Sequence, residues 1–129
     1  MAAPIVSLED IALRQGDGLL FENLSLFIGA KDRLALIGRN GAGKTTLLRL
    51  IAGRIDSDRG KRTVIPGTHI VYLEQDPDFS PFDRLVDFCV AEREGDAPPP
   101  AEHACRAIAD QIGIDLDRDA KTASGGERR

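Results

Sequence analysis

Apolar and polar positions follow two regimes along the chain. Up to about residue 73, apolar residues come in short runs closed by glycines and charges; beyond Pro81 they recur every three or four positions. Residues 5–13 are rich in Ile, Val and Leu and run into Gln15-Gly16-Asp17-Gly18, residues that tolerate positive φ, so a strand and a tight turn are expected. Leu24-Ser25-Leu26-Phe27-Ile28 reads as a second strand, closed by Gly29-Ala30-Lys31-Asp32 and paired antiparallel to the first. Leu34-Ala35-Leu36-Ile37 is apolar throughout, the pattern of a strand covered on both faces in a parallel sheet. From Thr45, Leu47, Leu48, Leu50 and Ile51 recur at helical spacing, with Gly53 where the helix should stop. Residues 56–62 form a polar connection, after which Thr63-Val64-Ile65 and His69-Ile70-Val71-Tyr72-Leu73 read as strands separated by Pro66-Gly67. Then the period changes. Phe82, Leu85, Val86, Cys89 and Val90 predict an amphipathic helix, Gly95-Asp96-Ala97-Pro98-Pro99-Pro100 a stiff connector, and Ala101, Ala104, Ile108 and Ile112 the face of another helix ended by Gly113.

At 129 residues, 42% apolar and 29% charged, the chain has the length and composition of one soluble domain. The formal charge of −4 argues against wrapping a polyanion, since that affinity comes from Lys and Arg neutralising phosphates. Cys89 and Cys105 lack CxxC spacing and read as reduced thiols with no metal between them. Met1-Ala2-Ala3-Pro4-Ile5 has no basic leader region, and no apolar run approaches the roughly 18 residues of a membrane span. A cytoplasmic protein without membrane insertion is expected.

The chemistry starts at Gly38-Arg39-Asn40-Gly41-Ala42-Gly43-Lys44-Thr45, a complete GxxxxGK[ST] phosphate loop (Walker A) preceded by an apolar run and followed by a helical pattern. Glycines are needed because such a loop folds around an anion with its N–H groups pointing inward, and a Cβ at Gly41 or Gly43 would obstruct that path. The helix N-terminus adds unpaired N–H groups and the positive end of its dipole. Lys44 is then placed to reach the β- and γ-phosphates of a nucleoside triphosphate, and the Thr45 hydroxyl to ligate Mg²⁺. The candidate binding residues here are Gly38, Asn40, Gly41, Ala42, Gly43, Lys44, Thr45 and Thr46.

A phosphate loop occurs in many NTPases, and the rest of the chain narrows the choice. Ser124-Gly125-Gly126-Glu127 resembles the signature sequence of ATP-binding cassette (ABC) proteins, and Gln75, just past an expected strand, resembles that family's Q-loop glutamine. On physics alone Ser124 with Glu127 is a capping box at a helix start, yet two glycines in a first turn cost roughly 1 kcal/mol each against Ala. A phosphate contact made by Ser124, Gly125, Gly126 and Glu127, as the resemblance implies, accounts for that cost. The resemblance likewise implies that Gln75 serves Mg²⁺ and the attacking water. It further implies that Lys44 serves the chain's own ATP while the signature serves a nucleotide on a second cassette, in the same polypeptide or in a homodimer.

Some positions depart from the family pattern. Ala123 stands where Leu usually precedes the signature Ser, and no aromatic lies near Arg14 and Gln15 to stack on adenine, with Phe21 a loose substitute. No apolar strand ending in Asp-Glu and no switch His follow the signature. Without those carboxylates in-line displacement at the γ-phosphate lacks its positioning groups, so the chain is expected to be the front part of a longer ATPase and to bind ATP by itself with negligible hydrolysis.

The wording of Leu20-Phe21-Glu22-Asn23-Leu24-Ser25-Leu26 and Tyr72-Leu73-Glu74-Gln75-Asp76-Pro77 is most like the ABC-F class of soluble twin-cassette ATPases, many of which act on ribosomes. An ATP-binding subunit of a transporter, partnered by a membrane permease, is the alternative, and a nucleotide-binding fragment without activity is the third reading. The expected architecture is α/β. It comprises a phosphate-loop NTPase core with a small antiparallel β subdomain in residues 1–75, then the start of a helical subdomain in residues 76–129 that reaches the signature motif.

Overall fold

The computed structural model describes residues 3–91 and 98–128. The chain divides into two compact units, Met1–Tyr72 and Leu73–Arg129.

The first unit is built on a three-stranded antiparallel sheet in the order β2-β1-β3, with β1 at Val6–Gln15, β2 at Gly18–Ile28 and β3 at Arg59–Val64. The expected first hairpin is there, with both strands longer than their apolar runs. Its alternation is broken at Asp10, which has φ 49, where the pairing steps from Leu8↔Leu26 to Ile11↔Leu24. This bulge turns Leu8 and Ile11 to the same face, where both are fully buried against Leu47 and Leu50 of helix α1 (Lys44–Ile51). Gly60 of β3 lies across from the bulge: a Cβ there would stand 2.5 Å from the carbonyl oxygens of Glu9 and Asp10. Only glycine fits that approach.

Three expectations for this unit change. Residues 59–62, read as connection, are strand, because their backbone finds a pairing edge on β1 in spite of their polar side chains. Residues 34–37, read as a buried strand, have no strand partner among the described residues, and Leu34 and Ile37 are 57% and 96% exposed. Residues 69–73 likewise form no strand. An apolar run supplies the propensity for a central strand, but the strand exists only when neighbours take up its N–H and C=O groups on both sides.

The second unit packs around Phe79, Leu85, Val86, Ala109, Leu116, Ala120 and Ala123, with the half-buried Cys89 and Cys105 against the same cluster. Helix α2 (Leu85–Cys89) is shorter than its apolar spacing, Phe82 lying in a turn whose N–H donates to Phe79 O at 3.0 Å. The Phe88 ring lies 4.2 Å from that of Phe79 and edge-on to that of Phe82 at 5.4 Å between centroids. Backbone bonds from Leu85, Val86 and Ala120 stitch the start of α2 to residues 116–120.

Helix α3 (Glu102–Ile112) ends at Gly113, whose φ is 74, as its sequence predicts. Its buried side is Cys105 and Ala109; Ala101, Ala104, Ile108 and Ile112, the expected face, are exposed. Residues 95–97 of the expected connector lie outside the described residues. No helix among those described is long and apolar enough to cross a membrane.

Candidate functional site

The phosphate-loop sequence forms the link into α1. Its turn is closed by the Ala42 N–H on Arg39 O at 3.1 Å, and Gly41 and Gly43 take φ of 83 and 97, values that disfavour any residue with a Cβ. Gly43 is the N-cap of α1: its carbonyl accepts the first helical bond from Leu47 N–H at 2.8 Å, and no side chain caps the helix. The first-turn N–H groups of α1, which have no acceptor four residues back within the helix, therefore face outward from a loop with no carboxylate in that turn. The Lys44 ammonium donates to Gly38 O, drawing its positive charge across the loop. Asn40, Gly41, Ala42 and Thr45 are exposed; Gly43, Lys44 and Thr46 are half-buried.

The first-turn N–H groups of α1, the Lys44 ammonium and the exposed Thr45 hydroxyl are the kinds of group that suit a polyphosphate and its divalent ion. A Cβ added at Gly41 would meet nothing within 4 Å, so that position is open to a ligand. At Gly43 the missing Cβ is hemmed in, with Phe21 Cζ at 2.9 Å and Leu20 Cδ1 at 3.0 Å. Leu20 was not expected at the loop from its sequence. The unbroken Leu19-Leu20-Phe21 run, which cannot alternate in and out along a regular strand, is the signal that was there to find.

The other motif residues belong to the second unit. Gln75 is exposed in a bend and Ser124 is exposed immediately before α4 (Gly125–Arg128). A Cβ at Gly125 would meet nothing within 4 Å and one at Gly126 only Ser124 Oγ at 4.0 Å, so the backbone here is open to approach. The side chain of Glu127 lies outside the described residues. The smaller Ala123 is buried in the helical core, beneath the signature turn.

Residues 21–129 match the family described as ABC transporter. The chain belongs to that family of ATP-binding cassettes. It is 40% identical over 128 residues to the ATP-binding protein Uup of Caulobacter vibrioides, an alignment that takes in 98% of this chain and 20% of the relative. A shorter stretch of 59 residues is 46% identical to the cytochrome c biogenesis ATP-binding export protein CcmA of Rhizobium etli, covering 46% of this chain and 26% of that one. The fold is similar to that of MJ1267, an ATP-binding cassette of an ABC transporter, with TM-score 0.74 at 21% identity over 98% of this chain and 62% of the other. Within the ABC family the chain is ABC-F-like, and it spans about a fifth of the length of Uup.

Proposed function

We propose that this chain is the ATP-binding front of an ABC-F-like ATPase. The loop at residues 38–45 holds the triphosphate through the outward N–H groups of Gly41, Gly43 and the first turn of α1, and Lys44 swings from Gly38 O onto the β- and γ-oxygens. Mg²⁺, when bound through the Thr45 hydroxyl, would neutralise phosphate charge. Ser124, Gly125, Gly126 and Glu127 contact a nucleotide held by a second cassette, so that closure of the pair depends on γ-phosphate. The observation carrying this reading is the pair of left-handed glycines leading into an uncapped helix with Lys44 turned back over the loop.

In the whole protein the outcome is ATP hydrolysis, with the ribosome as the partner that the ABC-F-like sequence favours. The chain by itself binds ATP with negligible turnover, as it holds no Asp-Glu strand after the signature. Titration of ATP and Mg²⁺ into the chain tests the first point: Lys44→Ala is expected to weaken binding by at least about tenfold, the scale of a lost charge-assisted contact. Parental affinity in that variant would sink the assignment. Phosphate release that depends on Lys44 would overturn the claim of negligible turnover by the chain alone.

The match to CcmA supports a second reading, an ATP-binding subunit working with a membrane permease. The mass of the native gene product separates the two: a twin-cassette polypeptide supports the ribosome-directed ATPase, and a single cassette of about twice this length, in the usual size range of one domain, supports the permease subunit.

A further inference from the structure

Between α3 and the signature the chain reads Asp115-Leu116-Asp117-Arg118-Asp119-Ala120-Lys121-Thr122-Ala123, polar except at Leu116, Ala120 and Ala123, and those three are buried in the helical core. Two of the aspartates serve their own backbone: Asp115 Oδ1 accepts the Asp117 N–H at 3.0 Å, and Asp119 Oδ1 the Lys121 N–H at 2.7 Å. Asp117 is used differently. Its carboxylate takes two bonds from Arg106 on α3, at 2.9 and 3.3 Å, and one of 3.5 Å from Arg84 at the N-cap of α2. Each arginine is held a second time, Arg106 by Glu102 at 2.9 Å and Arg84 by Asp87 at 3.2 Å.

An ion pair this open to water, with the Asp117 side chain 56% exposed, adds little to folding. Its effect is geometric. An arginine already ordered by one carboxylate loses less freedom on meeting another, so the shared Asp117 joins α2 to α3 at the point where the chain turns toward the signature. Short backbone bonds carry that order forward. The Leu85 N–H donates to Arg118 O at 3.1 Å and the Ala120 N–H to Asp83 O at 2.9 Å; the Asp119 carbonyl then accepts from Thr122 and Ala123 at 3.3 and 3.1 Å, and Ser124 is the next residue.

We infer that Asp117, clasped by Arg106 and Arg84, is a positioning residue for the signature, fixing the turn that presents Ser124, Gly125 and Gly126 to a nucleotide on a second cassette. The inference rests on the proposed role of those three residues. A signature held loosely has to be ordered again each time the pair closes, and that cost falls on turnover, not on the nucleotide held by the chain's own loop.

Steady-state ATP turnover by the full-length protein, compared among the parent, Ser124→Ala, Asp117→Ala and Asp117→Glu, tests this. Ser124→Ala sets the scale of a lost signature contact. Asp117→Ala is expected to lower kcat by about fivefold at unchanged KM, the split made by a group that acts only on the closed pair, and Asp117→Glu to restore about half of the lost rate or more. Urea midpoints of the Asp117 variants should stay with the parent's, as for any exposed ion pair. Parental turnover in Asp117→Ala, with Ser124→Ala impaired, overturns the positioning role and leaves the signature reading standing. A loss of rate that follows a lowered urea midpoint, or that glutamate does not relieve, overturns it as well. If Ser124→Ala turns over like the parent, the signature reading fails and takes the positioning role with it.

Discussion

The Arg62 guanidinium donates from Nε and Nη2 to the carbonyl oxygen of Ile51, at 3.0 and 2.8 Å. Arg62 lies on β3 and Ile51 is the last residue of α1, so one side chain ties the outer strand to the C-terminal end of the helix that starts at the phosphate loop. A cation there also meets the negative end of the helix dipole. Arg62→Ala is expected to destabilise the first unit by about 1–2 kcal/mol, the scale of hydrogen bonds from a charged, partly buried donor. Arg62→Lys, which has no fork, should recover less than half of that. Urea unfolding followed by circular dichroism reads both.

Phe79 is buried in the core of the second unit, its ring tilted against that of Phe88. Phe79→Ala should cost about 3–5 kcal/mol, enough to melt a small helical unit. Hydrogen exchange would show protection lost across α2 and α3 and kept in α1, where the core is a separate cluster of Leu8, Ile11, Leu47 and Leu50.

Arg106 donates to Asp117 at 2.9 and 3.3 Å and to Glu102 at 2.9 Å, and these bonds hold the Asp117 carboxyl below the ordinary carboxylate range. A group whose pKa is lowered by folding contributes stability above its unfolded pKa and loses it as pH falls through the folded value. Stability of the helical unit should therefore decline below about pH 4, and Asp117→Asn should flatten that part of the profile. The pair is exposed, so the change is small and best read as a difference in slope between the two acid titrations.

Ile37 is 96% exposed beside Leu34 and Leu36, in a segment with no strand partner among the described residues. Apolar runs of this kind associate. Sedimentation velocity should show the chain self-associating with concentration, and Ile37→Lys should shift the distribution toward monomer.

The first hairpin, α1 and its stop at Gly53, and the end of α3 at Gly113 were legible because each is set by nearest neighbours: turn residues, helical spacing, a left-handed cap. The phosphate loop was legible for the same reason, its glycines and Lys44 being contiguous and constrained by backbone geometry. β3 was not, since Arg59, Lys61 and Arg62 look like a solvated connection until β1 offers them an edge. The isoleucine face of α3 misled in the other direction: Cys105 and Ala109 pack against the helical core while Ile108 and Ile112 stay exposed.

By itself, then, the sequence determined the chemistry of the loop, the cassette family to which its motifs point, and those elements whose reasons are local. Only the tertiary structure decided which apolar runs find partners, that β3 and Arg62 clasp the far end of α1, and that the bulge at Leu20 brings hydrocarbon against Gly43. Hydrogen-bond pairing and side-chain packing are relations between distant residues, and a run of letters carries the propensity for them without naming the partner.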